Sequence, residues 1–171
     1  EAEVLSGAKS DPGDAHVIAD YLRVRIHRLR PAAPLSGPTK ALRALVRTRG
    51  DLVDTRVAAI NQLAALLDAH WPGATAIFAN IESAIALAFL TTYPTAASAA
   101  ALTEKRLARF LAAQGYSGKK PAAVLPTRLR SAPAGVSDPD LTAGVGDAVL
   151  AQVSVLSTLN SAIKALDRSI A

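Results

Sequence analysis

The sequence predicts an all-α protein: a long antiparallel helical hairpin, or coiled coil, with a small helical knob at its tip. Half of the 171 residues are hydrophobic and only 4% are aromatic. Alanine, leucine and valine dominate, and this composition favours closely packed helices. Apolar residues recur every seven positions in two long segments, which is the spacing of a coiled coil. Prolines and glycines divide the chain between those segments into shorter helical stretches.

The first element in chain order is a short helix predicted over "DPGDAHVIADYLRVRI". Its apolar residues follow helical spacing and are Val17, Ile18, Tyr21 and Leu22. Three prolines in "RLRPAAPLSGP" end this helix, because proline cannot continue the helical hydrogen bonds. Pro38 is placed to be the first residue of the next helix.

Two long helices follow the heptad spacing. The first runs from about Pro38 to Trp71, roughly 45 Å at 1.5 Å per residue. Its repeats are Leu45, Leu52, Ala59 and Leu66, flanked by Val46, Val53, Ile60 and Leu67. The second repeats at Val149, Leu156, Ile163 and Ile170, interleaved with Val145, Leu159 and Leu166, and Gln152 is the one polar position. Asp138 and Pro139 predict its N-cap and first turn.

These elements divide the chain into four predicted segments. Residues 1–35 end a first domain, 36–73 form the first long helix, 74–136 form the knob, and 137–171 form the second long helix. The knob is predicted to contain short helices over "ATAIFA", "ESAIALAFLTTY", "SAAALTEKRLARFLAAQ" and "PAAVLPTRLRSA". Its predicted core is Trp71, Phe78, Phe89 and Tyr93. Because two helices leave apolar surface uncovered, a homo-oligomer is expected.

The charge predicts contact with a polyanion. The formal net charge is +5, and basic residues crowd one stretch: Arg23, Arg25, Arg28, Arg30, Lys40, Arg43, Arg47 and Arg49. Arginine makes bidentate contacts with phosphates, so this stretch is a candidate nucleic-acid surface. The alternative is a solvated face with local partners at Asp51 and Asp54. Lys119 and Lys120 in "GYSGKKP" are further candidates, and a plain surface turn fits them equally.

Composition excludes some classes of site. The chain has no cysteine, so disulfides and thiolate metal ligands are excluded. No secretory signal is visible, and the apolar stretch "SAIALAFLTTYP" is shorter than the about 20 residues that span a bilayer. A soluble cytoplasmic protein with no membrane partner is expected. The absence of an initiating methionine and an end inside a helical pattern predict a fragment.

Asp11 and Asp14 have two interpretations. An aspartate at the N-cap, a proline at the next position and an acid two residues later are an ordinary way to begin a helix, because the carboxylates satisfy free N–H groups and the positive end of the dipole. Residues three apart also lie on one helix face, with Cβ atoms about 5–6 Å apart. Two carboxylates so placed can bind Mg²⁺, which prefers oxygen ligands. Two acids alone do not complete a two-metal site, which needs further ligands.

A family resemblance favours the metal interpretation. Lys9, Ser10, Asp11, Asp14 and Ala15 match a K-[ST]-D-x-x-D-A motif, and an arginine-bearing helix that follows ends in N-x-L at Asn61 and Leu63. In this order the motifs resemble the central part of a bacterial insertion-sequence transposase. The family is the DEDD type, the IS110 group, related to the Piv invertase. The resemblance covers residues 1–70, and the later helices resemble its variable coiled-coil region more loosely.

The resemblance implies a function and a set of partners. Residues 1–35 would be the carboxy-terminal end of a RuvC-like, RNase H-type nuclease domain, and Asp11 and Asp14 would be two of its four catalytic, Mg²⁺-binding acids. Members of the family resemble recombinases that cleave and rejoin DNA under the guidance of a structured RNA, and such a protein would act at the bacterial nucleoid.

The chain departs from the whole family pattern. The first Asp and the Glu of the tetrad would lie upstream of Glu1, and a domain with a nucleophilic serine would lie beyond Ala171. The fragment alone is therefore expected to be inactive. The rival hypothesis is a purely structural helical dimerisation module, in which Asp11 only caps a helix and the charge serves solubility.

Overall fold

The computed structural model describes residues 11–30, 32–78, 80–116 and 124–171. These residues form helices, turns and loops, and no strand occurs among them, as the all-α prediction requires. The helices are α1 (Asp11–Arg25), α2 (Gly37–His70), α3 (Pro72–Ile77), α4 (Ala84–Thr92), α5 (Ala96–Ala99), α6 (Glu104–Ala113), α7 (Val124–Ser131) and α8 (Pro139–Ile170). A 3-10 helix, Ile26–Arg28, follows α1.

The chain divides into two compact units, Glu1–Gly37 and Pro38–Ala171. The first contains α1 and the 3-10 helix, and none of the residues in these two helices is buried. The second contains α2 to α8 and a continuous hydrophobic core. The four predicted segment boundaries stay predictions.

In the second unit, the long helices α2 and α8 run antiparallel. Side-chain contacts join Arg49 to Asp167, Arg56 to Asn160 (3.4 Å) and Gln62 to Gln152 (3.4 Å), so residue numbers rise along α2 as they fall along α8. With 34 and 32 residues, they are about 51 Å and about 48 Å long. Gln152, the polar position in the heptad series, thus has a polar partner across the helix pair.

The N-terminus of α8 forms as the sequence predicts. The Asp138 carboxylate accepts a hydrogen bond of 2.8 Å from the backbone N–H of Leu141, and Pro139 occupies the first turn. This is a standard N-cap, which satisfies one of the free amides of the helix end.

The core lies where the C-terminal half of α2 and the N-terminal half of α8 meet the helices α3 to α7. Phe89 on α4 is fully buried, and its ring contacts Trp71, Phe78, Tyr93 and Phe110 at centroid distances of 6.0, 5.3, 5.2 and 5.9 Å. The predicted aromatic core is therefore confirmed, with Phe110 as an additional member.

The segment before α8 passes very close to the end of α2. The backbone N–H of Val136 donates a hydrogen bond of 2.9 Å to the carbonyl of His70. A Cβ added at Gly135 would lie 2.6 Å from Ala96 Cβ and 2.9 Å from His70 O. Glycine is required here because no side chain fits between the two segments.

Two sequence predictions differ from the structure. The predicted single helix over "SAAALTEKRLARFLAAQ" is split into α5 and α6, because Thr103 starts a new helix by accepting a hydrogen bond from the N–H of Arg106 (3.3 Å). On α2, the buried residues are Ala59, Leu63 and Leu67. The predicted repeats Leu45, Leu52 and Leu66 are only half-buried, since the core covers a line of positions four apart and only over the second half of the helix.

Helix α8 is the helix in the described residues that is long and apolar enough to cross a membrane on length and composition alone. From the sequence, the stretch that was compared with the length of a membrane span was "SAIALAFLTTYP". Val145, Val149, Val153, Leu156 and Ile163 of α8 are buried within the helical unit. The core helix of a soluble protein passes the same test of length and composition, so this finding is only weak evidence for a membrane span.

Candidate catalytic and nucleic-acid-binding site

Asp11 and Asp14 both lie in the first turn of α1, and both are exposed. Residues three apart on a helix have Cβ atoms about 5–6 Å apart, so the two carboxylates are neighbours on one face. Among the described residues neither acid forms an ion pair, whereas Asp20 of the same helix lies 4.0 Å from His16 Nε2 and 3.4 Å from Arg23 Nε. The two carboxylates are therefore available to a cation.

The acidic pair shares its helix face with the apolar stripe of α1. Ile18 follows Asp11 by seven residues and Asp14 by four, and Tyr21 follows Asp14 by seven, which are the spacings of one helix face. Ile18 is 59% exposed and Tyr21 is 51% exposed. Apolar side chains and the acidic pair are therefore exposed on the same face of α1.

These residues fit a divalent metal site in part. Two carboxylates within one turn provide hard oxygen ligands, which suit Mg²⁺ and similar ions. In the described part of the chain, no group of three or more His, Asp or Glu side chains could hold a metal ion. Further ligands would have to come from residues other than those described. Glu1, Glu3, Lys9 and Ser10 lie outside the described residues.

The basic residues of the first unit lie along and after α1. Arg23 pairs with Asp20, and the guanidinium carbon of Arg25 lies 5.3 Å from the ring centroid of Tyr21. Arg28 ends the 3-10 helix and Arg30 follows it, and both are exposed. The four arginines thus remain at the surface of the first unit, with two of them in contact with their own helix.

The basic residues of α2 lie on two different faces. Lys40, Arg43 and Arg47, spaced three and four apart, share one exposed face. Arg49 lies on the side that contacts α8, where its Nε donates a hydrogen bond to Asp167 Oδ1. This hydrogen bond and the charge of Asp167 raise the pKa of the Arg49 guanidinium above its ordinary value. The alternative prediction of partners at Asp51 and Asp54 is wrong for Arg49, because its partner is on the other long helix.

Further basic residues occur in the sequence of the knob. The predicted Lys119 and Lys120 lie outside the described residues. Five basic residues of the knob were not predicted: Lys105, Arg106 and Arg109 on α6, and Arg128 and Arg130 on α7. The signal that could have found them is the distribution of acids, which are scarce in this segment.

The first part of the chain matches a family of DNA-mobilising enzymes. Residues 1–72 match the family model of DEDD transposases of the IS110 type, described as "Transposase". This match includes α1 with its two acids and the whole of α2.

The chain is also similar to a curated protein. Over 107 residues the chain is 37% identical to the "Mini-circle putative transposase for IS117" of Streptomyces coelicolor. The alignment covers 60% of this chain and 26% of the relative, so the chain spans about a quarter of the relative's length. The resemblance to IS110-type DEDD transposases that the sequence predicted is thus confirmed, over residues 1–72 for the family model and over 107 residues for the relative. No solved protein structure matches the chain significantly.

Proposed function

We propose that this segment supplies two of the four metal-binding acids of a Mg²⁺-dependent, RuvC-like nuclease site, together with a helical region that dimerises and contacts nucleic acid. The observation that carries the proposal is the position of Asp11 and Asp14. They lie side by side, without an ion-pair partner among the described residues, at the head of an exposed apolar stripe and within the segment that matches the family.

Helix α1 holds the two carboxylates in a fixed relation. Its apolar stripe would pack on the sheet of the nuclease domain, which would turn Asp11 and Asp14 toward the remaining acids. A divalent ion bound there activates a nucleophile and stabilises the charge that develops on the phosphodiester. The helix thus positions the ligands, and in isolation it provides only half of the site.

The DNA and the guide RNA of the intact transposase would meet the exposed arginines. Arg28 and Arg30 after α1, and Lys40, Arg43 and Arg47 on one face of α2, are placed to neutralise backbone phosphates. Arg49 would contribute to the helix pair through Asp167 rather than to nucleic acid. The protein would act in the bacterial cytoplasm, at the nucleoid.

A second apolar series on α8 supports dimerisation through the long helices. Beside the buried line, Ala148, Val155 and Ala162 recur every seven residues, as do Leu159 and Leu166. Val155 is 48% exposed, and the other four are half-buried, of which Leu159 packs against the hydrophobic core of its own chain. Two apolar faces on one helix are typical of a helix that packs in both its own hairpin and a partner's.

Mobilisation of DNA by the intact transposase tests the catalytic proposal. Asp11→Asn and Asp14→Asn are each expected to lower strand cleavage by about 100-fold or more. Substitution of a residue that hydrogen-bonds to a metal ligand already costs up to about 100-fold in activity, and loss of a ligand itself should cost at least as much. Asp20→Asn is the matched control, because Asp20 lies on the same helix but pairs with His16 and Arg23. It is expected to leave cleavage near the wild-type rate. Wild-type cleavage by both Asp11→Asn and Asp14→Asn would favour the rival hypothesis of a structural module with a capped helix.

A further inference from the structure

The net positive charge of the chain is concentrated in the knob, residues 74–136. This segment contains seven Lys and Arg residues and two acids, Glu82 and Glu104, whereas the rest of the chain contains 12 basic and 12 acidic residues. The excess of five in the knob therefore equals the formal net charge of the whole chain. A charge separated in this way along a sequence is the electrostatic footprint of a polyanion-binding surface.

Three of the basic residues form the exposed face of α6. Lys105, Arg106 and Arg109 are exposed, while Leu107 and Leu111 on the opposite side of the helix are buried in the core. Lys105 and Arg109 are four residues apart and thus neighbours on the helix surface. Burial of the leucines fixes the direction in which the cationic side chains project.

Two more basic residues lie on α7, which adjoins the same part of the fold. Arg130 is exposed and Arg128 is half-buried. Leu107 of α6 and Arg130 of α7 line one cavity of about 300 Å³. Arg130 lines this cavity, whereas the cations of α6 do not. We call the five cations of the two helices, Lys105, Arg106, Arg109, Arg128 and Arg130, the knob cations.

Neither acid of the knob neutralises these cations. Glu82 Oε2 lies 3.7 Å from Arg56 Nε on α2, so its charge compensates another element. Glu104 lies in the first turn of α6, where it interacts favourably with the helix dipole. Among the described residues, none of the ion pairs includes a knob cation.

We propose that the knob cations bind the phosphate backbone of a nucleic acid. These cations lie on other helices than the acidic pair and the arginines of α1 and α2, and the proposal rests on the proposed function only in that a transposase handles nucleic acid. Arginine and lysine bind phosphate through charge-assisted hydrogen bonds without reading base sequence. Both DNA and RNA carry this backbone, so the test includes one probe of each kind.

Fluorescence anisotropy of the 171-residue chain with labelled duplex DNA and labelled single-stranded RNA tests the proposal. The variant is Lys105→Gln with Arg109→Gln. The control is Lys164→Gln with Arg168→Gln, the same residue types at the same spacing on an exposed part of α8. Both variants remove two positive charges, and circular dichroism checks that both retain their helices.

We expect the α6 variant to bind at least one probe more weakly, and the α8 control to bind like the wild type. Each phosphate contact contributes a slope of about −0.9 for duplex DNA, or about −0.7 for a single strand, in log affinity against log salt. Loss of two contacts should flatten the slope by about 1.8 for DNA or about 1.4 for RNA. The probe that shows this change is the ligand of the surface.

Equal binding by the α6 variant and the control, or no binding of either probe by the wild-type chain, would overturn the proposal. Neither result bears on the catalytic site, whose test is the loss of strand cleavage on substitution of Asp11 or Asp14. The two proposals can thus fail independently.

Discussion

At the scale of single residues, Arg56 joins three parts of the second unit. Its Nη1 lies 3.4 Å from Asn160 Oδ1 on α8, and its Nε lies 3.7 Å from Glu82 Oε2 before α4. Both Arg56 Nε and Glu82 Oε2 are buried atoms without a hydrogen-bond partner in the described structure. The attraction between the two charges therefore offsets part of the free energy that their removal from water costs. Removal of one partner leaves the other charge partly buried and uncompensated.

Arg56→Met is accordingly expected to destabilise the chain by about 1–3 kcal/mol, the cost of a buried polar group without a partner. Adding Glu82→Gln should recover part of this loss, because it removes the isolated carboxylate. Arg47→Met is the control on the exposed face of α2, and its effect should stay within about 0.5 kcal/mol. Urea denaturation followed by circular dichroism measures all three. Equal loss from Arg56→Met and Arg47→Met would mean that the junction contributes nothing.

Residue-level prediction succeeded where a residue's role follows from local sequence. The burial of Val149, Leu156 and Ile163 followed from their heptad spacing, and the cap at Asp138 followed from the Asp-Pro pair. The partners of Arg49 and Arg56 did not follow, because Asp167 and Glu82 are distant in sequence and no local pattern links them. Ion pairs between elements depend on tertiary alignment, which spacing on one helix does not determine.

At the scale of elements, the buried residues of α2 follow the predicted heptad pattern only in part. The pattern predicted a seam through Leu45, Leu52, Ala59 and Leu66, flanked by Val46, Val53, Ile60 and Leu67. The buried line is Ala59, Leu63 and Leu67, because the helices of the knob cover α2 on one side over its second half. Half-buried apolar neighbours make two adjacent stripes equally plausible from sequence alone, and tertiary packing selects between them.

Substitution of Leu63 tests this assignment. Leu63 is 0% exposed, whereas Leu42 on the same helix is 47% exposed. Leu63→Ala should destabilise the chain by about 2–5 kcal/mol, through lost burial and the cavity left behind. Leu42→Ala, the same chemical change at an exposed site, should cost much less. The free energies of unfolding from urea titrations measure both, and similar values for the two variants would refute the assignment of the buried line.

At the scale of the whole molecule, the structure combines an antiparallel pair of long helices with a compact cluster of short ones. The all-α class and both long helices followed from composition and periodicity. The split of one predicted helix at Thr103 did not follow from them. The positive charge on α6 and α7 was not predicted, although the scarcity of acids in residues 74–136 indicates it. A single hydroxyl that caps a helix end is a weaker signal in sequence than the apolar run that continues through it.

The second apolar series on α8 predicts a dimer in solution. Val155→Glu places a charge on that face and should convert the dimer to a monomer, since burial of an unpaired carboxylate in the interface is costly. Ser154→Glu adds the same charge at the adjacent exposed position and should leave the dimer intact. Sedimentation velocity over a range of concentrations distinguishes the two. A wild-type chain that stays monomeric throughout would exclude dimerisation by this segment.

Metal-dependent rescue of an Asp14→Cys transposase tests whether Asp11 and Asp14 bind a divalent metal ion. A thiolate is a softer ligand than a carboxylate, and it binds Mn²⁺ better than Mg²⁺. The account predicts that strand cleavage by this variant is lost with Mg²⁺ and recovers with Mn²⁺, while the wild-type enzyme cleaves with both. If the ratio of cleavage with Mn²⁺ to cleavage with Mg²⁺ were the same in the variant and the wild type, metal binding by Asp14 would be contradicted. A residue that only caps a helix does not distinguish between the two ions.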